Sequence, residues 1–371
     1  MNKSTLFLSV CSIGILAFSC NKNDDDKIPQ YTVPDSYASF DNVEFAEATM
    51  AVDMGAGFTG YLGKGSIRQL SQDTVNYLWN NSNNAFTSEF TPNLPYTPAQ
   101  INSAGFSIAS KTTDAVLFKA LADSMVKISA FYNTPGSQGV AGKQGTRLFN
   151  YSGYEFNQGV AKGLFGGLQL SQIIQHLDAS VSADNNTVVA GKGTAMQHEW
   201  DLAFGYVCIP MDYDSSKAYT AAADPGRPLA LAGYFAERAK FIKAGGIVYE
   251  AFRKGRAAIS AKDYAARDKA ITTIKEFLEK TMAAGMYYYV THPQAITDKP
   301  SQLHELSEGR SFLLALKYRS SNSKLTAADY QTLLSIVGPF ENAYSLINDA
   351  TFAKLKQAQQ ILTNTYGQLQ P

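Results

Sequence analysis

The chain has 371 residues, with 32 basic and 32 acidic side chains, 45% hydrophobic residues and only 17% charged residues. Soluble domains carry roughly a quarter charged residues, so this is a charge-poor but globular composition, which excludes a disordered or collagen-like chain. After residue 18, no apolar run approaches the roughly 20 residues that cross a bilayer, which excludes a polytopic membrane protein. Without net positive charge or a basic cluster, we expect no nucleic-acid partner.

The first residues have the pattern of a bacterial lipoprotein leader. An apolar stretch over residues 6–18 is followed by Ser19 and Cys20, so a small residue directly precedes the cysteine, as in a lipobox. We therefore predict a lipoprotein signal peptide over residues 1–19 and acylation of Cys20. An ordinary secretory signal with an incidental cysteine is the alternative.

A polar segment follows the leader, and we interpret residues 20–36 as a lipidated tether. Its acidic run, residues 24–26, resembles the export signal that sends lipoproteins of the Bacteroidota to the outer face of the outer membrane. The alternative is a solvated tether without a sorting role. We expect a lipid-anchored, surface-exposed protein whose partner in the outer membrane is lipid. With Cys20 acylated, Cys208 is the remaining thiol of the mature chain, and its apolar neighbours favour a buried, inert side chain.

The remainder, residues 37–371, is predicted as one all-α helical domain. Glycines and prolines interrupt residues 37–109, which favours loops and short helices there. Helical periodicity then predicts helices over residues 111–132, 154–177, 194–209, 229–260, 261–284, 303–319, 326–337 and 351–366. The second of these contains four glycines, each costing about 1 kcal/mol of helix propensity, so we expect it to pack unusually close to its neighbours.

Two predicted helices place histidine beside carboxylates. His198 and Asp201 are three residues apart and His304 and Glu308 are four apart, so each pair shares a helix face. Imidazole and carboxylate form the ligand set that suits zinc or iron. These four residues are therefore our candidates for a ligand or metal site.

The acids directly after each histidine, Glu199 and Glu305, are secondary candidates. Neither segment is the His-Glu-x-x-His signature of zinc proteases, because Leu202 and Glu308 stand where the second histidine belongs. A histidine beside a carboxylate is also often a satisfied polar pair at the edge of a core. That structural alternative stays open, and no catalytic residue is assigned.

Aromatic residues suggest a different site. Trp79 and the run Tyr287-Tyr288-Tyr289 could stack on sugars, which favours a glycan platform. Aromatic side chains at helix ends more often pack into a core or its rim, so packing is the alternative.

Three segments resemble a family of bacterial lipoproteins known as domain of unknown function 4856. They begin at Tyr31, His198 and His304 and read Tyr-Thr-Val-Pro-Asp-Ser-Tyr, His-Glu-Trp-Asp-Leu-Ala-Phe-Gly-Tyr and His-Glu-Leu-Ser-Glu-Gly. The family resembles the imelysins, and this resemblance implies an all-α helical bundle with two lobes, here residues 37–210 and 228–371, that descend from one duplicated bundle.

Imelysin-like proteins carry a Gly-x-His-x-x-Glu motif, and some are described as peptidases or iron-regulated proteins. In this chain Met196 stands for the glycine and Asp201 for the glutamate, so the motif carries over as His198 with Asp201. These departures weaken the implied metallopeptidase activity.

Our leading hypothesis is a surface lipoprotein that binds a ligand, such as a metal ion or an iron compound, in a cleft between the helical lobes. The alternatives are an imelysin-like metallopeptidase using zinc or iron, a glycan-uptake accessory protein with an aromatic platform, and a purely structural role for both histidine segments.

Overall fold

The computed structural model describes residues 30–90, 95–220, 224, 226–339 and 343–371. These residues form fourteen α-helices, several single 3-10 turns, one π-helical segment and one antiparallel β-hairpin. The helices are α1 (Ala46–Gly63), α2 (Gln72–Asn80), α3 (Pro98–Asn102), α4 (Ile108–Lys111), α5 (Ala115–Ser129), α6 (Phe156–Leu164), α7 (Ser171–Ala179), α8 (Ala195–Val207), α9 (Ala244–Ser260), α10 (Tyr264–Thr291), α11 (Lys299–Ala315), α12 (Ala327–Val337), α13 (Ala343–Asn348) and α14 (Ala353–Tyr366). The hairpin pairs β1 (Gly142–Gln144) with β2 (Arg147–Phe149). The all-α prediction is confirmed.

The prediction that glycines prevent a long helix in residues 37–109 is wrong, because α1 runs through four of them. The glycines serve close packing instead. A Cβ on Gly57 would lie 3.2 Å from the ring of Phe86, and one on Gly55 would lie 3.1 Å from Leu168. Burial of the helix against these neighbours offsets its poor propensity, which no local pattern reveals.

The predicted helix over 154–177 forms as α6 and α7 joined by the π-helical segment Phe165–Leu170. Its glycines pack as closely as we expected. A Cβ on Gly166 would lie 2.4 Å from the Cα of Ala315, and one on Gly167 would lie 2.3 Å from the ring of Phe118. The segment therefore presses its backbone against α5 and α11.

The predicted helix over 229–260 is shorter than expected. Ala230–Phe235 forms a 3-10 turn, and α9 begins only after Lys243, whose φ of 54° a right-handed helix cannot contain. The next helix, α10, runs further than predicted, to Thr291. The observed helix boundaries differ from the predicted ones because the backbone angles of loop residues decide where a helix starts. Hydrophobic periodicity does not report these angles.

The described start of the chain lies along α9. The hydroxyl of Tyr31 donates to Asp263 beyond the end of α9, and Arg253 in mid-helix donates to the carbonyl of Pro34. Tyr37 reaches the core, where its ring stacks on Phe204 with centroids 3.8 Å apart. The last part of the predicted tether is thus packed on the domain.

Buried apolar residues of the described chain form one continuous core that includes both predicted lobes, and the lobe division stays a prediction. None of the described helices combines the length and the apolar character that crossing a membrane requires. The signal peptide and Cys20 lie outside the described residues. Cys208 is buried as expected, and burial raises the pKa of its thiol.

Candidate functional site

His304 and Glu308 lie on one face of α11 and face a group of charged side chains, as the four-residue spacing predicts. The Nδ1 atom of His304 lies 2.6 Å from Oε2 of Glu155 and 2.7 Å from a guanidinium nitrogen of Arg147. Its Nε2 atom lies 3.5 Å from Oε1 of Glu308. Both glutamates are buried.

The two short contacts at Nδ1 make opposite demands on the histidine. A protonated Nδ1 donates to Glu155, whereas an unprotonated Nδ1 accepts from Arg147, and one nitrogen cannot do both at once. The tautomer of His304 therefore decides which neighbour Nδ1 bonds.

Lys162 on α6 extends this charged cluster. Its Nζ lies 3.4 Å from Oε1 of Glu308, and it stands over the rings of Phe165 and Tyr234 at 5.8 and 5.5 Å from their centroids. The two carboxylates thus meet two permanent cations, Lys162 and Arg147, which balances the buried charge. We call Arg147, Glu155, Lys162, His304 and Glu308 the charged cluster.

Lys162 also lines a cleft between α1, α6 and the π-helical segment. The cleft has a volume of about 360 Å³. Its walls are mostly apolar, and its polar lining consists of Thr59, Asn157, Gln158, Lys162 and Gln169. Gln169 is satisfied inside the protein, since it donates to the carbonyl of Tyr206 and accepts from the amide of Leu231.

Two other amides of the cleft are not satisfied. The side-chain oxygens of Asn157 and Gln158 are buried and have no hydrogen-bond partner among the described residues. Buried acceptors without a partner cost about 1–3 kcal/mol each, so they commonly mark a place where water or a ligand donates.

The local sequence explains how the cleft forms. On the side of α1 that faces α6, three of the residues that line the cleft are small, namely Gly55, Ala56 and Gly60. On the other side, the π-helical segment shifts the helix register, so that Phe165 and Leu168 line the same wall. Such segments often occur at functional sites.

The other two candidates, His198 and Asp201, do not pair with each other but have separate partners. Asp201 on α8 is fully buried and accepts from the hydroxyl of Tyr37 at 2.6 Å and from Nε of Arg256 at 2.9 Å. Burial raises the pKa of Asp201 to about 6, while Arg256 and Tyr37 act in the opposite direction. His198 instead lies 3.7 Å from Glu44.

The secondary candidates pair with the two remaining histidines of the chain. Glu199 lies 2.7 Å from His176, and Glu305 lies 2.7 Å from His292. His176, His292 and His304 thus lie within hydrogen-bond distance of a glutamate on another helix or loop, whereas Nδ1 of His198 has no hydrogen-bond partner among the described residues.

The structure corrects the prediction of a shared metal site. In residues 30–371, apart from the short stretches left undescribed, no three or more His, Cys, Asp or Glu side chains are grouped so that they could hold a metal ion. The candidate ligands have other partners instead. Asp201 pairs with Arg256. Arg147 lies beside His304, and Lys162 lies beside Glu308. The zinc or iron hypothesis has no geometric support.

Two residues of the predicted aromatic platform, Trp79 and Tyr288, have rings that are covered by other side chains. Trp79 is only 4% exposed and packs on Phe58. The ring of Tyr288 is covered by the guanidinium of Arg238 at 3.6 Å and by His292 at 4.8 Å. The packing alternative is correct for both.

The sequence did not reveal Glu155, Arg147 or the cleft amides. Glu155 is an acid between two aromatic residues, Tyr154 and Phe156, which is a weak indication of a buried charge. Arg147 lies in the hairpin, 157 residues before His304, so only the fold brings them together.

Residues 36–363 match the family described as a domain of unknown function (DUF4856). The chain belongs to this family. No curated protein and no solved structure matches the chain significantly. The resemblance to this family is confirmed, and its imelysin-like character stays a prediction. The match assigns no activity.

Proposed function

We propose that the protein is a surface-exposed, lipid-anchored outer-membrane lipoprotein that binds a small ligand in the cleft beside Lys162. The unsatisfied oxygens of Asn157 and Gln158 are the observation that carries the proposal. The described residues that line the cleft belong to the first predicted lobe, except Ala230, which belongs to the second. The proposed ligand site is therefore not the cleft between the lobes that we expected from the sequence.

The lining defines the chemistry of the ligand. The two amide oxygens accept hydrogen bonds, so the ligand carries N–H or O–H donors. Lys162 has ammonium protons beyond the one directed at Glu308, and they suit a hydroxyl, carbonyl or carboxylate acceptor. Apolar contact comes from Leu164, Phe165 and Leu168. Hydroxyl- and amide-bearing molecules the size of a monosaccharide or dipeptide combine these features.

The charged cluster would hold the ammonium in place. Glu308 directs Lys162, Nε2 of His304 approaches Glu308, and Glu155 and Arg147 in turn contact Nδ1 of His304. A binding group fixed by buried partners loses little freedom when a ligand arrives, which favours affinity.

The ligand proposal is tested by thermal-shift and calorimetric titration of the mature protein with monosaccharides, disaccharides, amino acids and dipeptides. A compound from this panel should bind, and Gln158→Ala should weaken its binding about tenfold or more, which corresponds to the loss of one well-made hydrogen bond. Gln360→Ala is the matched control, because Gln360 is an exposed glutamine on α14. Equal affinity in wild type and Gln158→Ala would refute this placement of the ligand.

The location is tested separately. Full-length protein in intact cells should be degraded by added protease, and Cys20→Ala should abolish metabolic labelling by palmitate. Protection of the protein in intact cells would place it on the inner side of the membrane.

A further inference from the structure

One end of the helical domain carries an unusual surface. The loop between α7 and α8, residues 180–194, covers the turn between α9 and α10. Asn185 donates to the carbonyl of Ile259, and Lys262 in the turn donates to Asn186. Arg267 at the start of α10 donates to the carbonyl of Val181. These contacts fix the loop on the end of the domain.

Three valines of this loop project into solvent. Val181, Val188 and Val189 are 46%, 63% and 54% exposed. Single exposed apolar residues are ordinary, but three within nine residues of one loop form a local apolar surface. The exposed lysines Lys192 and Lys262 flank it. We call these five residues the anchor-side surface.

The acidic groups nearby are mostly engaged within the protein. Asp184 accepts from the backbone amides of Asn186 and Thr187, and Asp268 pairs with Arg267. Asp263 accepts from the hydroxyl of Tyr31 and from the amide of Ala266. Lys192 and Lys262 are both exposed and can offer ammonium protons to an anionic surface.

The start of the chain identifies what this surface faces. Tyr31 bonds Asp263, which directly follows Lys262, so the polypeptide enters the domain beside the anchor-side surface. The ten residue steps from Cys20 to Gln30 span at most about 36 Å when fully extended. An acyl chain on Cys20 would therefore hold this end of the domain close to the bilayer.

We propose that the anchor-side surface rests on the lipid headgroups of the membrane that holds the acyl chain, with the valines in the interface and the lysines on lipid phosphates. The inference depends on the lipid anchor of the proposed function. Valines that enter the interface gain from leaving water, and lysines beside them gain from anionic phosphates. The contact would orient the whole domain on the membrane.

The test uses the full acylated chain, reconstituted into vesicles of phosphatidylethanolamine and phosphatidylglycerol. A polarity-sensitive dye is attached to Val189→Cys, and the matched control carries it on Ile67→Cys, since Ile67 is 63% exposed and Val189 is 54% exposed. Asn42, just before α1, accepts from Gly191 of the loop, whereas Ile67 follows the far end of this helix, about 27 Å away. Native Cys208 is buried and does not compete for the dye.

In vesicles, iodide should quench the dye at position 189 at least about threefold less than the dye at position 67, since the interface excludes the anion. Equal quenching of both dyes on vesicles that carry the protein to the top of a density gradient would overturn the inference and leave the anchor intact. Shielding that grows with the protein-to-lipid ratio would assign the surface to a second copy of the chain, which also overturns it. If the protein does not float with the vesicles, the predicted lipid anchor is refuted, and this inference is refuted with it.

Discussion

Asp201 and Arg256 form an ion pair in the core, with Oδ1 of the carboxylate 2.9 Å from Nε of the guanidinium. The same oxygen accepts from Tyr37, so one carboxylate connects α8, α9 and the segment that precedes α1. Arg256 donates further to the carbonyl of Asp41. A residue that the sequence suggested as a ligand is thereby a structural link between three parts of the chain.

We predict that Asp201→Asn destabilises the protein by about 3–5 kcal/mol, because it leaves Arg256 buried without its counter-charge. Chemical denaturation measures the change. Glu250→Gln is the control, since Glu250 pairs with Lys254 at the surface and its loss should cost under about 1 kcal/mol. Similar costs for the two variants would contradict the assignment of Asp201 to the fold.

A second prediction concerns Asp53 on α1. Burial raises the pKa of this carboxyl to about 7, although the charge of Arg227 acts against it, and the unfolded chain titrates near the ordinary value of 3.8. Between these pH values the folded state holds a proton that the unfolded state has lost, so the free energy of unfolding falls as pH rises from about 4 to about 7. The loss is on the order of 4 kcal/mol.

Urea denaturation of wild type and Asp53→Asn between pH 4 and pH 8 measures this titration. The variant cannot ionise at this position, so its stability should fall less with pH and should exceed that of wild type at pH 8. A variant whose stability falls as steeply as that of wild type would show that another group titrates.

A third prediction concerns the π-helical segment. Gly166→Ala should cost about 2 kcal/mol or more, because its Cβ would meet the Cα of Ala315, which is backbone and cannot rotate away. Gly63→Ala on α1 is the control, since a Cβ there meets nothing within 4 Å and gains helix propensity. Thermal unfolding distinguishes them, and equal melting temperatures would mean that α6 and α11 can move apart at no cost.

The fourth prediction compares two histidines with similar contacts and different burial. His304 and His292 each lie within 2.7 Å of a glutamate, but the side chain of His304 is 16% exposed and that of His292 is 38% exposed. His304→Ala should cost about 1–3 kcal/mol because Glu155 and Glu308 lose a donor between them, whereas His292→Ala should cost under about 1 kcal/mol. Denaturant midpoints decide the order, and the reverse order would mean that Arg147 and Lys162 alone satisfy the cluster.

The sequence predicted helices where apolar spacing was regular, as in α8, α12 and α14, because a core-facing stripe is a local property. It missed α1, whose residues are held helical by partners such as Phe86 and Leu168 that lie far along the chain. It also missed the hairpin, since three-residue strands leave no periodicity to detect.

The candidate site was predicted in part. Spacing correctly placed His304 and Glu308 on one face, but Asp201 follows His198 by three residues and still turns toward Arg256, 55 residues later. The spacing of two residues along a helix shows whether their side chains can meet. It does not show whether a residue of another helix binds one of them first. Lys162 and the cleft amides therefore could be found only in the folded chain.

The path of the first described residues has a mechanical consequence. Tyr31 contacts Asp263 just beyond α9, and Pro34 and Tyr37 contact Arg253 and Tyr249 within it, so this segment runs antiparallel to the helix. A pull on an anchored end would load these contacts together, in shear, instead of peeling them one at a time. Such a pull would thus be resisted by the stacking of Tyr37 on Phe204.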